Sequence, residues 1–120
     1  MENEDIERRI TDRIPLRLMV KYSYGGDVRE GYSSDISPLG IFIQSLILPP
    51  MNSLIKLEFT VPYQDAEIEI RVSGAVIRMV NLDEAQIPHT VPGFGVRFYS
   101  FNGNGQEVLN DLINSQTDFS

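Results

Sequence analysis

Two clusters in the chain have the residue types and spacing to hold an anionic, planar ligand. Arg9 and Arg13 stand four residues apart in Arg9-Ile-Thr-Asp-Arg13. Each guanidinium is a planar fork that grips a phosphate, or the O6/N7 edge of guanine, through paired hydrogen bonds. Asp35-Ile-Ser-Pro-Leu-Gly40 sets a carboxylate and a hydroxyl two residues apart, three residues before a glycine. A carboxylate there accepts the N1 and N2 protons of guanine, and a glycine lets a ligand approach the backbone. Each cluster also has a plainer explanation. Arginine pairs at this spacing occur on ordinary solvated surfaces. Asp and Ser in a turn bond neighbouring backbone amides while the closing glycine takes a positive φ.

Charge narrows the ligand. The chain has ten basic and seventeen acidic side chains, a net charge of −7, which repels a nucleic-acid backbone. Half of the basic residues, Arg8, Arg9, Arg13, Arg17 and Lys21, share one window with Asp12 as its only acid, a local charge of +4. A focused positive segment on an acidic chain suits a small anion, so no nucleic acid polymer is expected as a partner. A single-stranded nucleic-acid barrel would instead carry a basic groove with stacking aromatics along its strands.

Other chemistries find little support. No cysteine occurs, which excludes a disulfide framework, a thiolate zinc site and a cysteine nucleophile, and points to a reducing, cytoplasmic setting. The acidic start, Met1 to Glu7, does not read as an export signal. The longest apolar run, Leu46 to Met51, holds two prolines and is too short to cross a bilayer, so no membrane insertion is expected. The single histidine, His89, sits in a polar loop beside Pro88. Glu67 and Glu69 fall on the wet face of a strand, and no Walker or dinucleotide fingerprint is present. Neither a catalytic set nor a metal or cofactor is expected.

The elements that must position the two clusters follow from periodicity. At 120 residues, 42% hydrophobic, the chain is the size of one domain with one core. Residues 1–8 read as a charged, flexible leader, and Arg9 to Pro15 as an arm, since Pro15 interrupts any helix. Leu16, Leu18, Val20 and Tyr22 alternate with Arg17, Met19, Lys21 and Ser23, which predicts a first strand. Gly25-Gly26-Asp27 is hairpin-turn chemistry, leading into a polar strand over Val28 to Ile36 with weaker alternation. The turn Ser37-Pro38-Leu39-Gly40 precedes a short apolar strand, Ile41 to Ser45. A fourth strand carries Ile55, Leu57, Phe59 and Val61 on one face. A fifth, longer strand places Ile68, Ile70, Val72, Gly74, Val76 and Arg78 on one face, with Gly74 marking a bend or bulge. Gly93 to Phe101 gives a sixth, with Phe94, Val96 and Phe98 inward. Val108, Leu109, Leu112 and Ile113 at helical spacing predict a helix over 106–115 that docks on the strands. The fold class is therefore all-β: a six-stranded antiparallel barrel over 16–101 with a short C-terminal helix, one domain over 9–115.

Order and spacing then link the clusters. Arg9-x-x-x-Arg13, followed about one hairpin later by Asp35-x-Ser-x-x-Gly40, resembles the signature of the PilZ family. Arg8 before the pair, the entry Ile14-Pro15-Leu16 and the segment Gly93-Phe94-Gly95-Val96-Arg97-Phe98 also look like their PilZ counterparts, so the likeness spans roughly residues 7–101. Pro38-Leu39 departs from the small residues more usual inside that turn. The resemblance implies a six-stranded barrel that binds cyclic di-GMP. Arg9 and Arg13 would grip guanine and phosphate, Asp35, Ser37 and Gly40 would complete the pocket, and Arg8 would stack on a base and favour an intercalated pair of ligand molecules. A sensor rather than an enzyme is expected, with a mechanism in which the ligand clamps the arm from Arg9 to Pro15 onto the barrel near Asp35 and Ser37 and the ordered arm signals through an unidentified downstream protein. The chain is compatible with a homodimer. The rival reading is a PilZ-like adaptor that binds proteins without nucleotide.

Overall fold

A computed structural model describes residues 13–81 and 91–117. Seven strands run in chain order: β1 (Ile14–Pro15), β2 (Met19–Tyr24), β3 (Asp27–Ile36), β4 (Gly40–Gln44), β5 (Leu54–Tyr63), β6 (Ala66–Val80) and β7 (Gly93–Phe101). A helix, α1 (Gly105–Thr117), follows. All pairings are antiparallel. The neighbours β3-β2-β5-β6-β7-β4 close on themselves because β4 also pairs with β3, which makes the expected six-stranded barrel. Closure leaves these six strands without an open edge, the arrangement in which a small sheet escapes intermolecular pairing.

The barrel forms because its strands alternate. Along β5 exposed and buried residues alternate from Leu54 to Pro62, with Ile55, Leu57, Phe59 and Val61 all inside. The wet face of the same strands carries a ladder of alternating charge: Glu30 pairs across from Lys21, Lys21 from Glu58, and Glu58 from Arg71. Opposite charges directly across antiparallel strands add modestly to pairing. Inside, Tyr22 meets Phe94 edge to face at 5.0 Å. Its buried hydroxyl is satisfied by Ser45 Oγ at 2.9 Å and the Ile47 carbonyl at 3.1 Å. Helix α1 closes the core with Val108, Leu109, Leu112 and Ile113, and Tyr63 at the end of β5 donates a hydrogen bond to Asp111 at 2.7 Å.

Two departures from periodicity bear on the site. The expected strand beginning at Leu16 is broken: β1 and β2 lie along the same edge of β3, and residues 16–18 bridge them without regular pairing. Buried Ser33 explains how this is tolerated. Its Oγ accepts the Leu18 N–H at 2.9 Å and donates to the Leu16 carbonyl, so two backbone groups outside the ladder still find a partner. Pro15 also joins the sheet despite its missing N–H, at an edge position where proline is admissible. Gly74 behaves as its sequence context suggests, with a register shift against β7 between Ser73 and Gly74. The Gly25-Gly26 turn has φ of 59° and 88° at its two glycines, as a two-residue hairpin requires.

Candidate ligand-binding site

The site is built on one row of cross-strand neighbours on the outside of the barrel. Asp35 on β3 pairs with Phe42 on β4, Phe42 with Gly95 on β7, and Gly95 with Arg78 on β6. Adjacent strands lie about 4.8 Å apart, so the row spans roughly 14 Å from Asp35 to Arg78. Above it opens a cavity of about 560 Å³, inside the range of roughly 300–1,000 Å³ usual for small-molecule sites.

Both ends of the row are set by β-bulges. Ser33 pairs with Ile43 but Asp35 with Phe42, so Ser34 is an extra residue in β3. Strict alternation after the inward Ser33 would turn Asp35 inward; the bulge turns it out and lets Ile36 enter the core. On β6, Val76 pairs with Val96 but Arg78 with Gly95, so Ile77 is extra. Arg78, expected on the inward face with Val76, instead faces the cavity, and Met79 packs on the core in its place. Bulges are a regular means of re-aiming side chains next to sites.

At the β3 end, Arg13 Nε donates to Asp35 Oδ1, and Ser34 Oγ donates to Asp35 Oδ2 at 3.3 Å. Two residues 22 positions apart thus form one ion pair on the cavity wall. Both side chains stay substantially open, at 47% and 36% exposure. Ser37 is buried, and its hydroxyl accepts the Leu39 and Gly40 amides at 3.2 and 3.1 Å. Together with the backbone bond from Ser37 N–H to the Gly40 carbonyl at 2.8 Å, this closes the turn internally. Gly40 differs from expectation. It is not among the glycines with positive φ; a Cβ there would instead meet the Val96 carbonyl oxygen at 2.3 Å, so this glycine permits close approach of β4 to β7.

The cavity therefore gathers Arg13, Asp35, Ser37 and Gly40 from the two sequence clusters. Arg8 and Arg9 lie outside the described residues, as does His89. The positive window does not act as a unit: Arg17 stacks on the Tyr32 ring at 4.3 Å, and Lys21 belongs to the charge ladder. Glu69 is bonded by Arg71 Nε at 2.5 Å.

Three cavity residues escaped the sequence reading of the site. Phe42 forms the floor, its ring against Gly93 and Gly95, where a side chain at Gly93 would collide with it at 2.6 Å. Arg78 lies over the Phe42 ring, its guanidinium carbon 5.7 Å from the centroid, and meets it across side-chain-free Gly95. Arg97, paired with Gly40, lines the same wall. The one available signal was Gly93-x-Gly95 opposite an aromatic, which marks a ring lying flat on a strand.

A family model described as the PilZ domain matches residues 7–115. The chain belongs to the PilZ domain family. This is a family of receptors and adaptors, not a known enzyme family. No curated protein matches the chain. Among solved structures, the Bacillus subtilis inhibitor of motility (MotI/DgrA) is similar with a TM-score of 0.75 at 15% identity, over 87% of this chain and 48% of that one. The chain thus spans about half the length of that protein. The PilZ domain of CeSA from a cellulose-synthesizing bacterium is similar with a TM-score of 0.57 at 14% identity, over 88% of this chain and 98% of that one. At such identities both establish the fold. Among the described residues no helix is long and apolar enough to cross a membrane.

Proposed function

We propose that the protein is a receptor domain for cyclic di-GMP that signals through a partner protein. The observation that carries this reading is the convergence of Arg13, Asp35, Ser37 and Gly40, from two separate clusters, on one cavity of about 560 Å³. Membership of the PilZ family supplies the ligand class.

The chemistry runs through exchange of partners. Asp35 is held by Arg13, and both are open enough to be reached. A guanine edge brings N–H donors to the Asp35 carboxylate while Arg13 turns its fork to the ligand's phosphate or O6/N7 edge, so each charge trades one partner for another. Ser37 serves by keeping its turn rigid, since its hydroxyl is engaged with two amides. Four residues of extended chain reach roughly 14 Å, so a ligand held by Arg13 would be within the span open to Arg9. Closure of the 9–13 segment on the ligand is then the signal read by the partner. Arg8 would stack on a base and favour an intercalated pair of ligand molecules.

Calorimetric titration of cyclic di-GMP into the full chain tests the reading. Wild type binds, and Asp35→Ala binds roughly ten- to a hundred-fold more weakly, the loss expected for charge-assisted bonds. Binding should also weaken in high salt, which screens exposed charge pairs. A wild-type chain that takes up no cyclic di-GMP would favour the nucleotide-free adaptor.

A further inference from the structure

We infer that Arg78 and Arg97 form a second anion clamp, on the side of the cavity away from Arg13, that makes the site selective for ligands with two anionic centres. The inference rests on the cyclic di-GMP reading but concerns residues outside both signature clusters.

Charge and partners carry the argument. The cavity is lined by three cations, Arg13, Arg78 and Arg97, and one carboxylate, Asp35, so it is locally positive by two charges on a chain of net −7. Asp35 is committed to Arg13. Among the described residues, neither Arg78 nor Arg97 has a carboxylate partner, although the chain carries seventeen acids. The Arg78 guanidinium lies over the Phe42 ring, which orients it without neutralising it.

Geometry gives the selectivity. Arg78 stands at the β6 end of the row and Asp35, with Arg13, at the β3 end, roughly 14 Å away. Arg97 lies two residues along β7 from Gly95, the direct partner of Arg78, so both guanidiniums serve the same side. A mononucleotide has one phosphate and can satisfy one side of the cavity. A cyclic dinucleotide has two phosphodiesters and two bases, so it can engage Arg13 and Asp35 at one end while its other half meets Arg78 and Arg97 over Phe42. The Ile77 bulge is what turns Arg78 to this position.

The test is calorimetry on the full chain with cyclic di-GMP and, separately, 5′-GMP, using Arg13→Ala and the pair Arg78→Ala/Arg97→Ala. The paired substitution should weaken cyclic di-GMP binding by about tenfold or more and change 5′-GMP binding less than twofold. Arg78→Gln/Arg97→Gln, which keeps part of the aliphatic stems, should behave alike and serves if the alanine pair folds poorly. Wild-type affinity for cyclic di-GMP in the paired variants, with a loss in Arg13→Ala, would overturn the second clamp and leave the receptor reading standing. Equal losses for both ligands would reduce the two arginines to general attraction and overturn the selectivity. Absence of cyclic di-GMP binding by wild type would overturn both readings together.

Discussion

Replacing Gly40 by alanine separates two explanations of the glycine that ends the Asp35 to Gly40 cluster. A turn glycine is ordinarily kept for a positive φ, and an asparagine then recovers part of the loss. Here the backbone of Gly40 needs no such freedom, but its Cα faces the Val96 carbonyl oxygen of the neighbouring strand. An added Cβ would lie 2.3 Å from that oxygen, whereas real Cβ contacts stay above 3.0 Å, and the obstacle is backbone that cannot rotate away. Strands β4 and β7 would have to part where Gly40 pairs with Arg97. Overpacking of this kind costs about 2–3 kcal/mol, which for a domain of this size lowers the melting temperature by roughly 10 °C. Gly25 is the control: its φ is +59° and nothing stands within 4 Å of a Cβ. Gly25→Ala should cost about 1 kcal/mol, partly recovered in Gly25→Asn. Urea unfolding of the four variants, Ala and Asn at each position, reads the difference. Gly40→Asn should be no better than Gly40→Ala. A Gly40→Ala protein within about 0.5 kcal/mol of wild type, or one clearly improved by asparagine, would refute the close-approach account.

Ser33→Ala strips partners from the Leu18 N–H and the Leu16 carbonyl, and should destabilise by about 2–3 kcal/mol in urea titration. Because the same hydroxyl fixes the segment between β1 and β2, cyclic di-GMP affinity should fall as well. Arg13→Ala breaks an ion pair whose partners are both exposed, so its unfolding free energy should change by less than about 1 kcal/mol while its ligand affinity falls roughly tenfold or more. Tyr63 titrates above the ordinary tyrosine value, chiefly because its hydroxyl donates to Asp111, with burial and the nearby Asp111 and Glu107 charges adding to the effect. A raised folded-state value means this contribution is complete below the unfolded tyrosine pKa of about 10 and is lost as pH rises through the higher folded value. Tyr63→Phe should therefore flatten the alkaline loss of stability seen in urea midpoints above pH about 10. An unchanged alkaline slope would count against the tether between β5 and α1.

Much of the barrel is legible in the chain because most of its strands are half-buried. The alternation of β5 records one dry and one wet face, and Val108, Leu109, Leu112 and Ile113 record the docked helix just as directly. The Arg13 and Asp35 clusters are legible because their chemistry is local. What stays hidden is register. A bulge inserts one residue without a compositional mark: neither Ser34 nor Ile77 is a glycine, yet each reverses the faces of the residues that follow. That is why Arg78 reads as inward from sequence and faces the cavity in the fold. The hairpin between β5 and β6 is similarly silent, since Gln64 and Asp65 take φ of 50° and 63° without a glycine. The positive window misleads for a different reason. Linear charge density ignores that Arg17 engages the Tyr32 ring and Lys21 the charge ladder, while Arg97, far along the chain, returns to the cavity by way of β7.

The receptor reading is tested most directly by amide chemical shifts of the full chain titrated with cyclic di-GMP. Saturable shifts are expected at Asp35 to Gly40, Phe42, Ile77, Arg78 and Gly95 to Arg97, with quiet signals along the charge ladder at Lys21, Glu30 and Glu58 on the barrel's other side. Saturable shifts confined to other residues, or a titration that leaves the cavity amides unmoved, would contradict it.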